Sequence, residues 1–186
     1  MLLVSTGFER DFIPYMEKIA HEVMTSLIVL PEYVSDERFN KPIKDYGYLT
    51  ISRIKNSSDK FRYFDSRIVV RIGEPPQDKD AKYFLYSQEK GGRLFDHIDE
   101  GHVSSFMSRN PDANEWGGAV LMDDFIVSFS GLPELADEAF SLLFALKLKM
   151  FPMNIEWIDG RTEAIKSESN NPLITPLIEA SRIIIP

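Results

Sequence analysis

The chain has 186 residues, 44% hydrophobic, 27% charged and 12% aromatic, with a formal net charge of −8 and an isoelectric point near 4.9. That size and balance suit one globular domain with a substantial core. The acidity argues against a nucleic-acid partner, whose phosphates are bound by clustered Lys and Arg, and the absence of cysteine excludes disulfides, thiolate metal sites and cysteine nucleophiles.

The first eleven residues have no cationic start and their apolar run breaks after Val4, so they do not read as a secretory signal. No stretch approaches the roughly 18 to 20 apolar residues of a membrane span. A cytoplasmic protein with no membrane partner is expected.

Phe12, Tyr15, Met16, Ile19, Ala20, Val23, Met24 and Leu27 recur at spacings of three and four, which predicts a helix beginning near Phe12 or Ile13. Pro14 is tolerated in its first turn and Pro31 ends it. Residues 32–46 predict an irregular connector with a helical turn. Residues 48–55 and 61–72 are strand-like, rich in Ile and Val, and the turn cluster 56–59 joins them as a hairpin.

Residues 74–80 hold two prolines, four charges and no apolar group, and predict a mobile loop. Residues 81–86 predict a short strand, Gly91-Gly92 a turn, and 94–109 a weak helix with Phe95, Ile98, His102 and Phe106 near one face. A second hairpin follows, 118–122 and 125–130 around Asp123-Asp124.

From Pro133 to Met150 the signals for a helix agree. Glu134, Asp137 and Glu138 oppose its positive end, and Lys147 and Lys149 its negative end. Ala139, Phe140, Leu142, Leu143, Phe144, Ala145, Leu146 and Leu148 leave almost no polar side, so the helix is buried all round or docks to another chain. Residues 155–158 predict one more strand. The apolar tail, 167–186, must pack on its own domain or on a partner subunit.

The fold expected is a single α+β domain, 1–186: one mainly antiparallel sheet of five to six strands with helices packed on it. The surplus apolar surface suggests a homodimer, with Phe140, Phe144, Leu148, Ile183 and Ile184 at the interface.

Histidines and carboxylates concentrate only at Asp96, His97, Asp99, Glu100 and His102. On a continuous helix His97 and His102 lie about 140° apart, so only Asp99 with His102, or Asp96 with Glu100, share a face. His21 reads as a helix-surface residue. The pairs Gly91-Gly92 and Gly117-Gly118 lack the lysine of a phosphate loop, and Ser128 and Ser130 lack the flanking pattern of a nucleophile elbow. No catalytic set and no metal site is assigned.

Residues 117–149, with Gly-Gly-Ala-Val, a hairpin and then Ser-Phe-Ser-Gly-Leu-Pro-Glu-Leu-Ala-Asp-Glu-Ala, resemble the carboxy-terminal motif of the haem-degrading and haem-binding GlcG-like family. The resemblance implies a profilin-like layer, a sheet with helices against it, and haem as the possible ligand. That family carries a long helix between its first hairpin and the motif, where this sequence shows the Pro-Pro loop and a short strand.

Three functions follow in order. The first is a non-enzymatic ligand-binding or protein-interaction module of sensor or accessory type, with no resident cofactor. The second is a binding protein for haem or another small ligand, with Tyr48, Tyr63, His97, His102 and Trp116 lining a pocket between sheet and helices. The third is a hydrolase-like enzyme using Asp99 and His102 with Glu100.

Overall fold

The structure, a computed structural model, describes residues 3–4, 12–39, 44–57, 61–148 and 155–181. Strands β1 (Leu3–Val4), β2 (Gly47–Asn56), β3 (Arg62–Ile72), β4 (Ala119–Met122) and β5 (Phe125–Ser130) are accompanied by helices α1 (Phe12–Ile28), α2 (Pro31–Ser35), α3 (Gln77–Asp96), α4 (Glu134–Lys147), α5 (Ile155–Ser169) and α6 (Ile174–Ala180). The protein is α+β with one antiparallel sheet. Its full-length strands run in the order β3-β2-β5-β4, and the two-residue β1 touches the outer edge of β3 through Leu3 opposite Val69 and Val4 opposite Ile68.

Side chains alternate across a sheet with period two, and here the two faces differ in chemistry. Leu49, Ile51, Ile68, Val70, Ile72, Val120, Met122, Val127 and Phe129 point into the main core with α1 and α4. Phe129 stacks on Phe140 of α4, ring centroids 4.1 Å apart. The other face carries Tyr48, Thr50, Ser52, Ser128 and Ser130, and α3 lies over it.

Polar bonds hold α3 there. Tyr48 Oη donates to Asp80 Oδ1 at 2.8 Å, Thr50 Oγ1 meets Ser87 Oγ at 2.9 Å, and Arg67 donates to Ser52 Oγ at 3.2 Å and to Gln88 Oε1 at 2.9 Å. A smaller apolar cluster, Ile54, Leu94, Ala119, Leu121 and Ile126, closes the far end.

The predicted α1, both hairpins and α4 are present. Asp123 takes the left-handed backbone, φ 55°, that the second hairpin's tight turn requires. Between the hairpins the sequence expectation is corrected. The predicted loop 74–80, strand 81–86 and Gly91-Gly92 turn give way to a helix that begins at Gln77, directly after Pro76, with Asp78 and Asp80 in its first turn. Acids there favour the positive end of the helix, which outweighs the loop-like composition. The predicted helix over 94–109 stops at Asp96, and Gly101, with φ 86°, turns the chain back.

Residues 155–158 belong to α5 rather than to a strand. With 81–86 and 155–158 helical, the sheet has, among the described residues, four full-length strands beside the two-residue β1, where the sequence predicts five to six. Of the two alternatives for α4, the structure shows burial within the chain: every residue from 136 to 146 is buried. Phe140, Phe144 and Leu148 thus face their own core, not a partner subunit, because α1, α6 and the sheet cover them. In the tail, Leu173, Ile174 and Leu177 are buried beside α4 and α1, while Ile183 and Ile184 lie outside the described residues. No helix among the described residues is long and apolar enough to cross a membrane.

Candidate functional site

Three carboxylates in the first turns of α4 organise one end of the molecule. Two are buried. Asp137 accepts the Leu132 N–H at 2.9 Å and pairs with Lys90 of α3 at 2.6 Å, while the Lys90 ammonium also donates to the Phe129 carbonyl at 3.1 Å. Both side chains are almost wholly enclosed, 3% exposed for Lys90 and 2% for Asp137. Gly118, at φ 131°, leaves the gap the pair occupies: a Cβ there would fall 2.8 Å from both Lys90 Nζ and Asp137 Cβ. The ion pair therefore joins α3 to α4 past the end of the sheet.

Burial pushes the Asp137 carboxyl up to about 6, against the lowering influence of Lys90 and of the Leu132 N–H. Glu138 is enclosed and makes no ion pair among the described residues. It accepts from the Ser104 hydroxyl and from Asn171 Nδ2 at 3.0 Å, and burial holds its carboxyl above the usual range. Glu134 accepts the Gly117 N–H at 3.2 Å and pairs with Arg109 at 2.9 Å. These bonds pin the chain on either side of β4 and the turn before α6.

Beside the Lys90–Asp137 pair lies a cleft of about 550 Å³ between α3, the residues Arg38, Phe39 and Lys44, and the start of α4. Phe39, Tyr83, Tyr86 and Trp116 provide its rings. Among the described residues that line it, Arg38, Lys44, Lys82 and Lys90 stand against two carboxylates, Glu134 and Asp137. Lys44 Nζ is 3.2 Å from Tyr83 Oη and 5.5 Å from that ring's centroid; Lys82 Nζ is 5.2 Å from the centroid of Tyr86. Burial raises the Tyr83 hydroxyl above its ordinary value, so it stays protonated at neutral pH. Arg93, reaching Trp116 O, Ser105 O, Ser108 Oγ and Glu89, fixes the backbone from which Trp116 projects.

Of the five sequence-predicted ligand residues, only Trp116 lines this cleft. Tyr48 is buried on β2, its hydroxyl pushed up to about 12 by burial and then by its bond to Asp80. Tyr63 is an exposed residue of β3. His97 and His102 do come together. The helix break at Asp96 folds the chain so that their rings stack 5.0 Å apart, with Glu100 Oε1 3.0 Å from His97 Nδ1 and Oε2 3.9 Å from His102 Nε2.

Asp99 does not join them; it pairs with Arg62. The Asp99–His102 pairing proposed on a continuous helix is thus replaced, because the helix ends before either residue. Among the described residues no group of three or more His, Cys, Asp or Glu is placed to hold a metal ion. His21 is exposed on α1.

Sequence reasoning missed Lys44, Lys82, Tyr83, Tyr86 and the buried role of Asp137. The available signal was helical spacing: Lys82 and Tyr86 are four apart and Tyr83 and Tyr86 three apart, which places them together on one helix flank. Comparison with known protein families, curated proteins and solved structures gives no match.

Proposed function

We propose that the protein is a non-enzymatic ligand-binding module and that its site is the cleft between α3 and the start of α4. One observation carries this: a concavity large enough for a small organic molecule, with four rings and four cations converging on it, is anchored by a buried ion pair. Concave, partly aromatic sites with a few placed polar groups are the usual form of small-molecule pockets. The neighbouring groups suit recognition better than bond-making, since Lys90 is consumed by Asp137 and Glu134 by Arg109. Thermal shift across a metabolite panel, followed by calorimetric titration of wild type and Trp116→Phe with any ligand found, tests it. A ligand that raises the melting temperature and loses affinity in Trp116→Phe supports the proposal. A ligand that binds with affinity unchanged in Trp116→Phe and in Tyr86→Leu places the site elsewhere.

Haem binding of the GlcG-like kind is the second possibility, favoured by α3: a long helix stands between the first hairpin and the 117–149 motif, as in that family. Neither His97 nor His102 lines the cleft, so a haem there would lack both as axial ligands. A Soret shift on titration, abolished in His102→Ala, would favour a haem site at the stacked histidines instead.

A further inference from the structure

We propose, resting on the cleft as the binding site, that its ligand is a small planar aromatic anion, the ring packed on Tyr83, Tyr86 and Trp116 and the carboxylate or phosphate held by Lys44 and Lys82. The chain carries a net charge of −8, yet this cleft is lined by an excess of cations. Two of the four cations are already answered, Lys90 by Asp137 and Arg38 by Asp36 at 2.6 Å, while the lining carboxylate Glu134 is taken by Arg109.

Lys44 and Lys82 are different. Among the described residues neither makes an ion pair: the Lys44 ammonium donates to the Tyr83 hydroxyl at 3.2 Å beside that ring, and the Lys82 ammonium rests against the ring of Tyr86. An ammonium held by one neutral hydroxyl or by a ring is held more weakly than one in an ion pair, so it can turn to an incoming anion while the ring beside it offers its face to a planar group.

The remaining wall is fixed in advance. Arg93 holds the Trp116 carbonyl, and the Lys90–Asp137 pair fixes α3, which carries Tyr83 and Tyr86, against α4. A site whose rings are already placed loses little conformational freedom on binding, so modest contacts are sufficient for measurable affinity.

Calorimetric titration with 2-naphthoate and with its uncharged counterpart 2-naphthamide, on wild type and on Lys44→Met/Lys82→Met, tests the proposal. Wild type should bind 2-naphthoate about tenfold more tightly than 2-naphthamide, as expected when one charged hydrogen-bonded contact is added. The double variant should bind the two alike, and raising the salt concentration should shrink the wild-type difference. Equal affinity of wild type for both compounds would overturn the anion proposal while leaving the cleft as a site for neutral rings. A naphthoate preference that survives in the double variant would overturn the assignment to Lys44 and Lys82. No binding of either compound at millimolar concentration would overturn both the ligand class and the cleft.

Discussion

Replacing Lys90 with Met probes the connection between the two helical layers. Methionine keeps the length and apolar stem and removes the ammonium that sits 2.6 Å from Asp137 Oδ2 and 3.1 Å from the Phe129 carbonyl. Asp137 would then be a buried carboxylate with the Leu132 N–H as its remaining hydrogen-bond partner. Leaving one member of a buried pair uncompensated costs about 3–5 kcal/mol, a large part of the roughly 5–15 kcal/mol that holds a domain folded. The carboxyl can escape the penalty by taking a proton.

Burial already lifts Asp137 from 3.8 to about 6, and Lys90 is the largest influence opposing that rise, so its removal lifts the folded value further. A carboxyl raised by folding contributes stability that is fully present below its unfolded value, near 3.8, and is lost as pH rises through the folded one. The deficit of Lys90→Met should therefore be largest at pH 7.5 and shrink by pH 5. Guanidinium unfolding at both pH values measures it, and Lys90→Met/Asp137→Leu, which removes both charges, should recover most of the loss at pH 7.5. A deficit under about 1 kcal/mol at pH 7.5, or one equal at the two pH values, would refute the reasoning.

Glu138→Gln should change stability at pH 7.5 by less than about 1 kcal/mol, because the amide can accept from Asn171 and donate to Ser104 where the carboxyl is already disfavoured as an anion. Glu138→Ala, which leaves the Ser104 hydroxyl and one Asn171 N–H without their acceptor beside a void, should cost about 2–4 kcal/mol by chemical denaturation. Gly92→Ala should stabilise by about 0.5–1 kcal/mol, since Gly92 is inside α3 and an added Cβ meets nothing within 4 Å. Were 91–92 a turn, the same change would destabilise, so the sign of the thermal shift decides between the two.

Which parts of the fold were legible in the sequence follows from how each element is held. The helices α1 and α4 bury apolar residues at spacings of three and four, and the hairpins alternate Ile, Val, Leu and Phe about recognisable turns, so pattern and packing agree. The helix α3 carries no such stripe. It docks through Asp80, Ser87, Gln88 and Lys90 onto Tyr48, Thr50 and the β5 backbone, bonds that leave no hydrophobic period, and its two glycines read as a turn.

The same cause hid the cleft. With 81–86 taken as a strand, Lys82 and Tyr83 point to opposite faces; on a helix they share a flank with Tyr86. Asp137 and Glu138 offered a clue, two acids inside a stretch otherwise almost wholly apolar. A helix buried all round must enclose them, and enclosed carboxylates need donors. Their dipole role at the helix start obscured that requirement. The pairing of His97 with His102 was illegible for another reason, since it depends on Gly101 reversing the chain after a helix that ends five residues earlier.

The central claim is that a helix tied down by polar bonds spans 77–96, covers the sheet and forms one wall of the cleft. Backbone 13Cα chemical shifts of the intact protein test it most directly. Continuous helical shifts from Gln77 to Asp96, including Gly91 and Gly92, with slow amide exchange at Ser87 and Lys90, are the predicted result. Extended shifts over 81–86 with a break at 91–92 would contradict it and remove the wall on which Tyr83 and Tyr86 stand.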